Sequence, residues 1–239
     1  MEWISAALSD LGLVRVRNED AFLRSDEGVF AVADGMGGHP AGHVASRIAV
    51  DAVRAGASGR DDGPGWLDEA FRAANGAIRE RADQAPAEAG MGTTLCVLEL
   101  DPAEHSARVA HVGDSRVYLW RDDSLRRLTR DDTALQDAIE AGRVQPEREA
   151  GHPLGSMLTL VLGLDDKVEA HMAQLEVRDD DLFLLCSDGI CGVLDDAEIA
   201  GVLGEGDAPG ELLTELTARV MARGAPDNAT AVAVRILAD

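Results

Sequence analysis

Residues 29–38 read Val29-Phe30-Ala31-Val32-Ala33-Asp34-Gly35-Met36-Gly37-Gly38. The first five residues have the β-branched and small apolar content and the length of a buried strand, and the chain then runs straight into a carboxylate and a glycine-rich turn. A carboxylate at the mouth of a buried strand is costly to desolvate unless it is paired or binds a cation. The same placement recurs along the chain. Asn18-Glu19-Asp20, Gly113-Asp114-Ser115-Arg116, Ser187-Asp188-Gly189 and Pro226-Asp227-Asn228 each border an apolar stretch. Five such placements call for one common compensation, and a divalent metal is the simplest. Taken singly, each block is more often a plain turn. Jointly they matter because Asp34, Asp114, Asp188 and Asp227 all fall at ends of expected core strands, where loops of a rigid scaffold converge.

Working outward, Trp3 to Ser9 reads as a strand. Val44, Ala45, Ile48, Ala49, Ala52 and Val53 recur at three and four, which marks an amphipathic helix from Gly42 to about Ala55, broken by the Gly/Asp/Pro cluster from Gly56 to Pro64. Trp66, Leu67, Ala70, Phe71, Ala74 and Ile78 mark a second helix, ending before a loop from Gln84 to Gly90. Strand patterns follow at Thr93 to Leu100, Ala107 to Val112 and Val117 to Trp120, and their short connections favour antiparallel pairing. Asp132 to Gly142 suits a short helix, and Arg143 to Ser156 is polar and proline-bearing, as expected of a surface flap within about 131–166. Strands Val168 to Val177 and Asp181 to Cys186, helices Asp196 to Leu203 and Gly210 to Ala222, and a last strand Ala229 to Leu237 complete the pattern.

Hairpin-like runs of strands with helices after each run predict an α+β fold, two antiparallel sheets flanked by helices in a four-layer α-β-β-α sandwich. A mixed α+β layer fits the same periodicities. With 239 residues and no linker-like composition, one domain spanning 1–239 is expected. Aromatic residues make up only 3%, so Ala, Val, Leu and Gly must fill the core and the layers must pack closely.

The net charge of −22 repels a polyphosphate backbone and an anionic membrane surface, so neither nucleic acid nor membrane is an expected partner. Cys96, Cys186 and Cys191 are odd in number and lack metal-ligand spacing, which fits a reducing cytoplasm. The N-terminus lacks a signal-peptide pattern and no stretch approaches the ~20 apolar residues of a membrane span. A soluble cytoplasmic domain is the expectation. Hard divalent cations such as magnesium or manganese want carboxylates, backbone carbonyls and water, which this chain supplies, and Gly35 lets a backbone carbonyl approach such an ion.

The run Gly12-Leu13-Val14-Arg15-Val16-Arg17-Asn18-Glu19-Asp20 resembles the opening motif of the metal-dependent serine/threonine protein phosphatases of the PPM, or type 2C, family. In order after it, Ala33 to His39, Met91-Gly92-Thr93-Thr94, His111 to Arg116, Ser187-Asp188-Gly189 and Asp227-Asn228-Ala229-Thr230 each match a family motif. The resemblance covers essentially the whole chain. It implies two Mn2+ or Mg2+ ions between two sheets, with Asp34 bridging both, Glu19 and the Gly35 carbonyl on one, and Asp188 and Asp227 on the other. Asp20 would hold metal-bound waters. Asp114 with Asp188 matches the pair for a third, looser ion of bacterial members. Arg15 matches the phosphate-binding arginine, and a guanidinium suits phosphate because it meets it bidentately. A water bridging two cations deprotonates readily and can attack phosphorus in line, with no phosphoenzyme.

Arg17 reads as a surface arginine neutralising nearby acids, Arg116 as a structural ion-pair partner, and Thr93 and Thr94 either as packing at a strand start or as support for metal waters. The chain also departs from the pattern. Animal members carry a histidine, proposed as general acid, immediately after the Asp-Gly; here that position is Met36, and His39 is the nearest alternative. Many bacterial relatives have Asp-His-Ser where this chain has Asp131-Asp132-Thr133, and an Arg-Asn pair and Thr-Arg where it has Leu154-Gly155-Ser156 and Thr159-Leu160. Less positive charge near the entrance implies a narrower substrate range or a partner that supplies the missing contacts. The resemblance thus implies a monomeric phosphatase of phosphoserine and phosphothreonine proteins that opposes a bacterial-type kinase. A catalytically silent phosphoprotein-binding relative and a phosphatase of small metabolites are the alternatives.

Overall fold

The computed structural model describes residues 1–36, 41–59, 65–145, 152–206 and 208–238. Its strands are β1 (Glu2–Asp10), β2 (Asp20–Arg24), β3 (Val29–Met36), β4 (Gly92–Thr93), β5 (Leu95–Asp101), β6 (Ser106–Val112), β7 (Arg116–Arg121), β8 (Ser124–Arg127), β9 (His171–Glu176), β10 (Leu182–Cys186) and β11 (Ala229–Leu237). The helices are α1 (Gly42–Ser58), α2 (Gly65–Gln84), α3 (Ala134–Glu140), α4 (Asp188–Cys191), α5 (Asp196–Glu205) and α6 (Pro209–Ala222). One sheet runs β1-β11-β10-β7-β8; the other runs β2-β3-β5-β6-β9, with β4 paired to β3. Every pairing between these strands is antiparallel.

The layers follow from the two-residue period of a strand. In β3, Phe30 and Val32 join Val232, Val234, Phe183 and Leu185 between the sheets. The intervening Ala31 and Ala33 pack under α1 and α2 against Ala45, Ala49, Phe71 and Ile78. In β11 the parity repeats: Ala231 and Ala233 turn to α4, α5 and α6 with Ile190, Val202, Leu216 and Val220. Alanine on the helix-facing side of these two central strands lets the helices approach closely, while larger residues fill the space between the sheets. The result is the expected α-β-β-α order.

The sequence pattern missed β2, β8 and α4, and a single 3-10 turn at Pro86–Glu88 inside the expected loop. β2 is an edge strand whose Phe22 faces solvent, so alternation is weak. The four-residue β8 (Ser-Leu-Arg-Arg) pairs with β7 across Asp122 and Asp123, both at positive φ (52° and 55°), as a two-residue type I′ hairpin requires. The four-residue α4 is too short for a period to show. The expected strand Thr93 to Leu100 is divided at Thr94 into β4 and β5, and two boundaries moved. Helix α1 continues through Gly56, whose missing side chain admits the Trp66 ring of α2, since a Cβ there would lie 3.1 Å from it. The expected strand 168–177 is shortened to β9. In the flap, α3 is capped by Thr133, whose side chain accepts from the Gln136 amide, and the return segment is stitched back by Thr159 N–H donating to the Asp132 carbonyl at 2.8 Å. His39 and residues 146–151 of the expected flap lie outside the described residues.

Candidate metal centre

Asp20 and Asp34 are directly opposed in the β2–β3 register, so two carboxylates meet at one end of the sandwich. Asp188 opens α4 immediately after β10, Asp114 lies in the turn between β6 and β7, and Asp227 precedes β11. These strand ends converge. Asp34 and Asp188 are close enough to shift each other's ionisation, and Asp20 and Asp114 both act on Asp34 through their charge. Each of the five carboxylates keeps part of its surface open. Beside them is an open cleft of about 960 Å³, lined by Asp114 and Asp188 on one side and by His152, Pro153 and Ser156 of the flap on another.

The local sequence holds each acid in place through its neighbours. The Ser187 hydroxyl donates to Asp20 Oδ2 at 2.8 Å and accepts from the Thr230 amide at 3.1 Å. Thr94 Oγ1 accepts from the Asp34 amide at 3.0 Å and lies 2.7 Å from Ser115 Oγ, while the Thr93 hydroxyl donates to the Asp34 carbonyl at 2.8 Å. Both threonines therefore brace the Asp34 backbone. Asn228 Oδ1 accepts from the Glu19 amide at 2.9 Å, and its Nδ2 donates to the carbonyls of Leu11 (2.9 Å) and Arg17 (3.1 Å). That clamp fixes the segment carrying Arg15 and Glu19. Sequence reading gave Asn228, Ser187 and Ser115 no role; their only signal was adjacency to an acid in each block.

Glycine makes one close approach possible. A Cβ on Gly42 would lie 2.5 Å from the Gly35 carbonyl oxygen and 2.8 Å from Glu19 Oε2. Both oxygens thus border one small space at the start of α1.

The electrostatics are strained in a single direction. Burial raises Asp34 well above the carboxylate range, and the negative charges of Asp188 and Asp20 raise it further. Burial, helped by Asp188, pushes Asp20 up to about 7 against the hydrogen bonds from Thr230 and Ser187. Asp114 is pushed up to about 8 by burial and then by Asp188 and Asp131. Asp188 and Glu19 are raised too, chiefly by burial, with the neighbouring Asp34 opposing the shift in Asp188 and His43 opposing it in Glu19. Asp20 Oδ1 and Asp188 Oδ1 are shut off from solvent and have no hydrogen-bond partner. Orphaned carboxylate oxygens, mutual repulsion and a nearby backbone carbonyl form an all-oxygen donor set that fits hard divalent cations.

The remaining expected residues separate by role. Arg15 is exposed, and its Nη2 donates to Asp227 Oδ2 at 2.5 Å. Arg17 Nη1 lies 3.2 Å from His43 Nδ1 on the surface. Arg116 is the structural partner expected: it grips Asp131 with Nε and Nη2 (2.6 Å for the latter) and donates to the Tyr118 hydroxyl at 2.9 Å. Among the described residues no helix is long and apolar enough to cross a membrane.

Comparison with known proteins agrees with this arrangement. The protein phosphatase 2C family model matches residues 15–226. The serine/threonine protein phosphatase PstP of Mycobacterium tuberculosis is 39% identical over 239 residues, covering 97% of this chain; the chain spans 45% of that protein's length. A crystal structure of the M. tuberculosis serine/threonine phosphatase PstP/Ppp superposes with a TM-score of 0.93 at 36% identity, covering 99% of both chains. A PstP catalytic domain in complex with two manganese ions gives a TM-score of 0.89 at 35% identity, again covering 99% of each. The chain belongs to the protein phosphatase 2C family of serine/threonine phosphatases.

Proposed function

We propose that this chain is a metal-dependent protein phosphatase acting on phosphoserine and phosphothreonine. The observation that carries the reading is the convergence of Asp20, Asp34, Asp114 and Asp188, each raised by burial and by neighbouring acids, with two carboxylate oxygens left without partners. In this reading Asp34, Glu19, the Gly35 carbonyl, Asp188 and Asp227 would hold two ions, with Asp34 shared between them, Glu19 and the Gly35 carbonyl serving one and Asp188 and Asp227 the other. Asp20, held by Ser187, would orient water beside them, and Asp114 with Asp188 would take a third ion. The two-manganese complex of a PstP catalytic domain supports manganese, and magnesium suits the same oxygen donors.

When bound, such cations acidify water near neutral pH and offset charge on phosphoryl oxygens. The chain's own groups orient the phosphate. Arg15 offers a planar fork to two phosphoryl oxygens, and the cleft beside Asp114 and Asp188 receives the flanking peptide. Direct hydrolysis by water, with no phosphoenzyme, is supported by the state of the nearby hydroxyls. Thr94, Ser115 and Ser187 are at most 1% exposed and already hydrogen-bonded, so none is available as a nucleophile. Met36 cannot donate a proton to the leaving alkoxide. We extend the proposal to a monomeric enzyme of the cytoplasm whose residues 1–239 form one catalytic domain and which opposes a serine/threonine kinase; three free cysteines support the reducing compartment.

The test is hydrolysis of an aryl phosphate and of a phosphothreonine peptide with and without manganese, beside Asp34→Asn. Both substrates should turn over only with metal, and the variant should lose activity by about two orders of magnitude or more, as loss of a centre's organising group does. Undiminished turnover in Asp34→Asn or in excess chelator would overturn the assignment. Turnover of the aryl compound alone would point to small phosphate metabolites.

A further inference from the structure

A second group of ligating side chains lies on the six-stranded sheet, away from the acidic centre. Strands β6 and β9 pair so that His111 faces His171 across the ladder. The two rings stack with centroids 4.9 Å apart and planes inclined by 27°. Asp132, at the start of the flap, places Oδ1 2.9 Å from His171 Nε2. One ligating atom from each of the three lies within 4.8 Å of the others.

The surroundings orient these groups as the outer shell of a metal site does. Asp132 Oδ2 accepts from the Gly113 amide at 2.9 Å, which fixes the carboxylate and leaves Oδ1 turned to the histidines. His111 Nε2 lies 2.6 Å from the Arg130 carbonyl and 3.2 Å from the Arg130 amide nitrogen; the shorter contact favours the tautomer that donates from Nε2, which leaves the lone pair on Nδ1. Burial lowers the His111 pKa and favours the neutral, ligating form. The opposing group is Arg130, whose Nη1 is 3.4 Å from Asp132 Oδ1. Its other nitrogens are closer to Asp137 (2.6 Å) and Glu140 (2.7 Å), so its charge is compensated without Asp132. His171 is 45% exposed, and both histidines line a shallow groove through which an ion and completing waters reach the site.

We propose that His111, Asp132 and His171 bind one zinc-class cation, separately from the acidic centre. Two imidazoles and one carboxylate suit Zn2+, Co2+ or Ni2+, whereas the all-oxygen centre suits Mn2+ or Mg2+. The two sites are linked through the Asp132–Gly113 hydrogen bonds, one residue before Asp114.

The experiment titrates the chain, with magnesium in excess to fill the acidic centre, using Co2+ and then Zn2+. Visible Co2+ absorption and the histidine NMR resonances are read in the parent, and binding is compared in His171→Ala and His171→Gln. One equivalent of Co2+ should give a nitrogen-ligated spectrum and perturb the resonances of both His111 and His171. One equivalent of Zn2+ should displace it, and both variants should bind about 10-fold or more weakly. Absence of stoichiometric binding in the parent, unperturbed histidine resonances, or equal affinity in the variants would overturn the proposal. None of these readouts depends on phosphatase activity.

Discussion

Arg15 Nη2 donates to Asp227 Oδ2 at 2.5 Å, joining two residues 212 positions apart. The proposed function assigns the carboxylate to an ion and the guanidinium to the phosphate, so the two partners are held beside each other by the same contact. The division of labour gives separable outcomes. Arg15→Ala should lower kcat/KM by about tenfold to a hundredfold, the scale of one charge-assisted hydrogen bond, with little change in the manganese concentration for half-maximal activity. Asp227→Asn should shift that manganese concentration upward. Kinetics at several metal concentrations distinguish the two.

The raised carboxylates predict an unusual pH dependence without metal. Each acid holds its proton more tightly folded than unfolded, so the native state binds more protons between the ordinary carboxylate range and the folded values, about 7 for Asp20 and about 8 for Asp114. Their contribution to stability is full below about pH 4 and is lost as pH rises towards 8. Chelator-treated protein should therefore melt at progressively lower temperature from pH 5 to pH 8 as these groups ionise. Manganese, which binds the ionised form, should flatten or reverse that slope. Thermal melts at four or five pH values, with and without metal, measure both.

Gly42→Ala should weaken manganese binding and lower stability, because the new Cβ would sit 2.5 Å from the Gly35 carbonyl oxygen and 2.8 Å from Glu19 Oε2. The control is Gly201→Ala in α5, where a Cβ meets nothing within 4 Å. That change should stabilise by about 0.5–1 kcal/mol through helix propensity alone. Melting temperatures and manganese titrations of the pair separate crowding from a generic glycine effect.

Arg116→Ala should cost about 3 kcal/mol, since it leaves Asp131, 7% exposed, without its closest cationic partner. It also removes a charge that lowers the Asp114 pKa, so proton competition at Asp114 should strengthen. Denaturant unfolding reads the first effect. The pH dependence of binding of any third ion reads the second.

Legibility in the sequence followed the range of the interactions involved. The β3 strand and helices α1, α2 and α6 were visible because burial imposes a period on neighbouring residues. Edge strands β2 and β8 were not, since one exposed face blurs alternation and β8 depends on its turn residues. Within the site, acids at strand ends stood out because an unpaired carboxylate beside a buried run is costly. Asn228, which clamps Glu19 over 209 residues, and Ser187, which holds Asp20 over 167, did not, because a small polar residue beside a turn looks the same with or without a distant partner.

The sequence by itself determined the α+β layering, the antiparallel pairing and the acidic residues of the centre, because alternation, turn chemistry and desolvation cost act locally along the chain. Only the tertiary structure decided that Asp20 opposes Asp34, that Arg15 pairs with Asp227, and that His111, Asp132 and His171 meet. Those relationships depend on strand register and on chain closure over long separations. A shift of one residue in either sheet would turn each side chain to the opposite face.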